Sequence, residues 1–270
     1  MGALMKLVSA ARRPVLIAVF SLVMASFVIM GSDAHARDSC VECHKNPDFM
    51  VTNKKIYDYF QRWVASPHGQ EDVTCSDCHN GDPGAADKQA AHAEMRASGG
   101  SPGTVSFQDV PKICGECHED NYNAYIKSKH FKHLVKESQD GQGPNCVTCH
   151  GSVSAKAPDV NTVREICVNC HNKKSDNHPD IPQKAEGLLN DLNTIRAFTR
   201  FIGIRGDSKD IDFSKNVLQP KVDTLAITWH TFDLKNIEPA TSELLTQAKE
   251  KRNEMRLKRP ARKGASQLAP

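Results

Sequence analysis

Residues 63–79 read Trp63-Val-Ala-Ser66-Pro-His68-Gly-Gln-Glu-Asp-Val-Thr-Cys75-Ser-Asp-Cys78-His79, and the last five of them decide the fold. Cys-x-x-Cys-His occurs five times, at Cys40-Val-Glu-Cys43-His44, Cys75-Ser-Asp-Cys78-His79, Cys114-Gly-Glu-Cys117-His118, Cys146-Val-Thr-Cys149-His150 and Cys167-Val-Asn-Cys170-His171. These motifs use all ten cysteines of the 270-residue chain. A thioredoxin-like redox pair, a zinc knuckle or a structural disulfide also employs paired cysteines, but none needs histidine directly after every second one. Histidine is only 12 of 270 residues, so five such placements are no accident of composition. The pattern is the attachment signature of c-type haem, in which two thiols form thioethers with the porphyrin and the adjacent imidazole ligates iron.

Working outward, the first half of the quoted stretch recurs as well. Trp63-Val-Ala-Ser66-Pro-His68 and Tyr125-Ile-Lys-Ser128-Lys-His130 both read aromatic-x-x-Ser-x-His. Each precedes a motif whose histidine leads into glycine within two residues, so unit 40–80 echoes unit 114–151 as an internal repeat. The motifs start 35, 39, 32 and 21 residues apart. The intervening segments are rich in Gly, Asp, Asn, Pro, Ser and Lys and show no strand alternation. Aromatic residues are only 6% of the chain, so side chains alone would make a thin core. The expected fold is mainly α: short helices and long loops wrapped around a stacked multihaem core, followed by a C-terminal helical segment. Residues 37–180 form the pentahaem-binding domain in this reading, and residues 181–270 the helical segment with a basic tail.

Seven histidines stand outside the motifs: His35, His68, His92, His130, His133, His178 and His230. The proximal ligands are expected to be His44, His79, His118, His150 and His171. The distal positions are assigned to His68, His92, His130, His178 and His230, with His133 as a spare close to His130. The covalent attachments fall to Cys40, Cys43, Cys75, Cys78, Cys114, Cys117, Cys146, Cys149, Cys167 and Cys170. No residue is assigned a catalytic role. If every iron carries two histidines the chain conducts electrons, whereas one empty distal position would let a haem bind and reduce a small molecule.

Lys6, Arg12 and Arg13 precede an apolar run, Pro14 to Met30, and Ala34-His35-Ala36 supplies a small-x-small cleavage site. Residues 1–36 therefore read as a signal peptide, which places the mature chain in the periplasm or outside the cell; if retained, the same run would be a membrane anchor. The formal net charge is +3. Removing residues 1–36 takes away three cations (Lys6, Arg12, Arg13) and one anion (Asp33), which leaves +1 and no basis for nucleic-acid binding. Between Lys249 and Lys263 eight cations face only Glu250 and Glu254. That tail is a solvated helix end, or a patch that steers the chain to an acidic redox partner or anionic membrane surface.

After residue 180, apolar positions Ala185, Leu188, Leu189, Leu192, Ile195, Phe198, Phe201 and Ile202 fall on helical spacing. This predicts an amphipathic helix ending near Gly203 or Gly206. Two further helices are expected over Leu225 to about Leu234 and Thr241 to about Lys258.

The repeated aromatic-x-x-Ser-x-His units between Cys-x-x-Cys-His motifs resemble the multihaem cytochrome c superfamily, in particular the group around hydroxylamine oxidoreductase and the nitrifier tetrahaem cytochromes. The resemblance spans residues 40 to about 180. It implies closely stacked haem pairs, bis-histidine ligation, and electron transfer with redox partner proteins in anaerobic-type respiration. Pentahaem nitrite reductases carry Cys-x-x-Cys-Lys at the catalytic haem, and no such motif occurs here. The other roles in view are reduction of a nitrogen or sulfur oxyanion at one open haem, and a subunit of a membrane-associated or oligomeric cytochrome assembly.

Overall fold

The computed structural model describes residues 38–99, 101–136, 143–175 and 178–258. The expected signal peptide at 1–36 and the end of the basic tail lie outside those residues. Among the described residues no helix is long and apolar enough to cross a membrane.

The chain is mainly helical, and the motifs are themselves helical turns. The first lies in α1 (Ser39–His44), the second in α5 (Cys75–His79) and the fourth in α10 (Cys146–His150). The third begins at the end of α7 (Val110–Gly115), and the fifth at the end of α11 (Val160–Val168). In those two, His118 and His171 still close a backbone bond to the first cysteine's carbonyl, both at 2.8 Å. A helical turn puts the residues at i, i+3 and i+4 on one side, which is where a motif needs its two thiols and its imidazole.

Local chemistry starts these turns. Asp38 accepts from the Cys40 and Val41 amides at 2.9 and 3.3 Å. Thr74 and Asp77, and likewise Asn145 and Thr148, form capping boxes at the second and fourth motifs, satisfying amides that a helix start leaves open. Past the motif histidines the backbone turns into positive φ, at Asn80 (58°) and Gly151 (75°).

Between the motifs lie short helices: α2 (Phe49–Thr52), α3 (Lys54–Val64), α4 (Pro67–Gln70), α6 (Lys88–His92), α8 (Glu119–Tyr125) and α9 (Lys129–Leu134). The strand content described is one two-residue antiparallel pair, Ala97–Ser98 with Ser101–Pro102. Among the described residues before 180, few large apolar side chains are buried: Ile113, Tyr125 and Leu134 are the chief ones.

The C-terminal helices are built differently. α12 (Ile181–Arg205) packs along α15 (Leu234–Lys258) and against α11. Leu192, Ile195, Ile202, Leu218, Val222, Ile237, Leu244 and Ala248 share one apolar cluster. The periodicity found α12, but the helix runs through Gly203. A Cβ there would come within 3.0 Å of Ser214 Oγ, and that hydroxyl donates to the Thr199 carbonyl at 2.7 Å. Glycine at 203 thus permits close packing, and the helix ends one turn later against Gly206.

Of the other two expected helices, the one over Leu225 to about Leu234 is displaced, and the one over Thr241 to about Lys258 lies within a helix that starts earlier. α13 (Ser208–Phe213) leads through a π-helical stretch, Ser214–Leu218, into α14 (Gln219–Thr228), then a 3₁₀ turn at Trp229–Thr231. Pro220 has no amide hydrogen for an i→i−4 bond, and the wider π turn before it absorbs the lost register. α15 begins at Leu234 and contains Pro239, which gives up one i→i−4 bond in the helix's second turn.

Candidate haem-binding site

The repeated unit keeps its hydrogen bonds as well as its sequence. Trp63 Nε1 donates to the Val73 carbonyl at 3.1 Å, and the Tyr125 hydroxyl donates to the Pro144 carbonyl at 2.7 Å. In both cases the acceptor lies two residues before the first cysteine of the next motif. Ser66 and Ser128, both buried, cap the turns that carry His68 and His130, accepting from the Gly69 amide at 3.1 Å and the Phe131 amide at 3.0 Å. A Cβ at Gly69 would run into the Trp63 carbonyl, so this turn folds back tightly on its own aromatic residue.

These turns bring non-motif histidines against motif histidines. His92 faces His44 with ring centroids 6.2 Å apart, and His68 faces His118 at 6.1 Å. His130 faces His171 at 6.1 Å, and His230 faces His150 at 6.2 Å. The planes meet at 52°, 29°, 49° and 7° respectively. Direct ring packing would constrain angle as well as distance, yet here only the distance repeats. An iron about 2 Å from one nitrogen of each imidazole, with about 1 Å more to each ring centre, sets the centroids about 6 Å apart and leaves rotation about the axis free.

Three of the remaining ring nitrogens fit the same role, while His130 Nδ1 is buried without a hydrogen-bond partner among the described residues. His92 Nδ1 lies 2.6 Å from the Lys88 carbonyl, His150 Nδ1 3.0 Å from the Lys156 carbonyl, and His230 Nδ1 3.1 Å from the Ala226 carbonyl. A carbonyl only accepts, so each Nδ1 bears the proton and Nε2 keeps its lone pair for a metal. Burial, followed by the facing imidazole, lowers the pKa of His44 and His230, and takes His130 to about 4. Neutral imidazole is the form that binds iron. Phe232, held at φ 53°, places its ring 4.5 Å from His130.

All ten cysteines are free of disulfides, and most are partly buried. Among the described residues no group of three or more His, Cys, Asp or Glu is placed to hold a metal ion. A bis-imidazole haem asks only two donors of the chain, since the porphyrin fills the iron's other positions. Paired imidazoles with unpaired thiols beside them are a donor set that suits haem c.

Two of the expected ligands stand apart. His178 is exposed, at φ 46°, and among the described residues no motif histidine ring contacts it. His79 likewise has no second imidazole in ring contact. Its ring is largely buried, with no hydrogen bond closing on Nδ1. Burial lowers the His79 pKa, opposed by the Gly103 backbone and assisted by Arg96. His133 is exposed and acts on His130 electrostatically. The four pairings were not readable from the sequence, because the partners in each pair lie far apart along the chain.

The chain matches no family model, no curated protein and no solved structure.

Proposed function

We propose that this chain is an exported multihaem c-type cytochrome that carries five covalent haems and passes electrons between redox partner proteins. The observation that carries this reading is the four imidazole pairs at one shared separation of 6.1–6.2 Å, each containing a Cys-x-x-Cys-His histidine. Haem supplies a one-electron iron couple when bound. His44 with His92, His118 with His68, His150 with His230 and His171 with His130 would hold the haem iron, and burial and nearby charge would set its potential. The scarcity of buried apolar residues before residue 180 agrees with porphyrin acting as core material there. So does the likeness of the repeated units to the multihaem cytochrome c superfamily. Haem attachment takes place outside the cytoplasm, in keeping with export directed by residues 1–36.

One observation favours a second reading for one site. His79 faces no imidazole among the described residues, so a haem held there would take one histidine from this chain rather than two. There the chain would reduce a small nitrogen or sulfur oxyanion rather than only relay electrons.

Quantitative EPR of the ferric protein tests both. Four bis-imidazole irons give four low-spin centres, and fewer than four would overturn the proposal. A fifth, high-spin centre that shifts with nitrite or hydroxylamine supports reduction at the His79 haem. Five low-spin centres at every protein concentration leave a pure carrier, and a fifth that becomes low-spin only as concentration rises places its sixth ligand on a second copy.

A further inference from the structure

We infer that the five haem sites stand in single file in the order of their motifs along the chain, with the Cys40–His44 site at one end and the Cys167–His171 site at the other. The inference rests on the haem reading above and adds what that reading leaves open, the route an electron takes.

Each consecutive pair of motifs is braced by a direct contact. The Ser39 amide at the start of the first motif donates to the Pro83 carbonyl, in the turn after the second, at 2.8 Å. The Arg96 amide donates to the carbonyl of His79 at 2.8 Å, while its guanidinium reaches Glu116, inside the third motif, at 3.3 Å. Arg96 thus ties the second motif to the third. The third and fourth are joined where α7 packs on α10. Asn145, which caps the fourth motif, also donates to the Phe107 carbonyl just ahead of the third at 2.7 Å. The fourth and fifth meet where α10 packs on α11.

The facing histidines agree with a file, because each of the three from between motifs strides over one site. His68, from between the first and second motifs, reaches the third. His92, from between the second and third, reaches back to the first. His130, from between the third and fourth, reaches the fifth. The first two lock sites one to three together, and His130 with His230 locks three to five. The C-terminal helices also lie on the later sites: α8 packs on the Trp229–Thr231 turn, His230 faces the fourth motif and Phe232 lies beside His130. The two ends of the file therefore differ. Electron tunnelling falls steeply with distance, so contact order sets the route, and an electron that enters at one end must cross the middle three sites to leave at the other.

Anomalous X-ray scattering at the iron edge from crystals of the haem-loaded protein locates the five irons directly. The expected result is that each iron's nearest neighbours belong to the motifs before and after it in sequence, with the first and fifth farthest apart. A closest approach between non-consecutive motifs, or a branch, would overturn the single file while leaving the carrier reading intact. Haem content measured on the same preparation separates that outcome from failure of the haem reading, which would show as fewer than five irons in fully matured protein.

Discussion

The imidazoles of His150 and His230 lie 7° from parallel with centroids 6.2 Å apart, although one belongs to a Cys-x-x-Cys-His motif and the other to a 3₁₀ turn in the C-terminal helices. This pair joins the part of the chain with few buried apolar side chains to the part that holds the apolar cluster. His230 Nδ1 is fixed on the Ala226 and Ile227 carbonyls at 3.1 and 3.3 Å, so the ring's other nitrogen is aimed rather than free to turn. His230→Ala is expected to convert one low-spin ferric centre to high-spin while the apolar cluster, and hence far-UV helicity, stays intact. An unchanged EPR spectrum in that variant removes His230 from the ligand set.

Ser66 and Ser128 are expected to matter through the histidines two residues on. Losing a side-chain N-cap costs about 1 kcal/mol, and both hydroxyls are buried, so alanine leaves an unmet backbone amide. Ser128→Ala should lower the melting temperature and broaden or shift one low-spin signal, as His130 loses its fixed approach to His171. Exposed Ser242→Ala, in the last helix and away from the motifs, serves as the comparison. A Ser128→Ala protein with wild-type melting and wild-type EPR lines would show that the cap does not hold the ligand.

Asp210 gives the C-terminal helices a pH dependence. The Lys251 ammonium, 2.7 Å away, holds the Asp210 carboxyl below the usual carboxylate range, with the Asp207 amide helping. A depressed folded-state value means the stabilisation is present above the ordinary carboxylate pKa and is lost as pH falls through the folded one. Asp210→Asn should cost about 1–3 kcal/mol near neutral pH, with the gap to wild type closing in acid. Thermal melts of both proteins across that range check it, and a gap that stays constant or widens in acid is the contrary result.

The apolar cluster predicts a separable stability effect. Ile237 is fully buried between helices, and Ile237→Ala should cost about 2–5 kcal/mol through lost burial and the cavity left behind. Its melting temperature should fall while the ferric spectrum below the transition stays wild type. A spectral change without a stability change would mean the cluster acts on the haem sites and not on the helices.

Much of this was legible in the residues alone, for physical reasons that also mark where legibility stops. The motifs are local, since one helical turn gathers two thiols and an imidazole, and the turn occurs in five copies. The repeat was local too: Trp63 and Tyr125, Ser66 and Ser128 fill matching places in matching hydrogen-bonded turns. The mainly helical character followed from apolar spacing at 185–202 and the lack of strand alternation. Which histidine meets which motif was not legible, because that depends on tertiary placement; adjacency in sequence suggested His178 for a nearby site, yet it is exposed. The helix stop at Gly206 was legible, whereas Gly203 serves close packing against Ser214 inside the helix, and the last helix starts at Leu234, ahead of the expected Thr241, with Pro239 inside it.

The central claim is that five Cys-x-x-Cys-His turns each hold a covalent haem, and intact-mass spectrometry of the acid–acetone-extracted mature protein, produced in a host that attaches haem c, tests it most directly. The account predicts a single species bearing five haems, with all ten thiols consumed and a new N-terminus at or near Arg37. A fully matured protein that retains fewer than five haems, or that carries its cysteines as free thiols or disulfides, would contradict it.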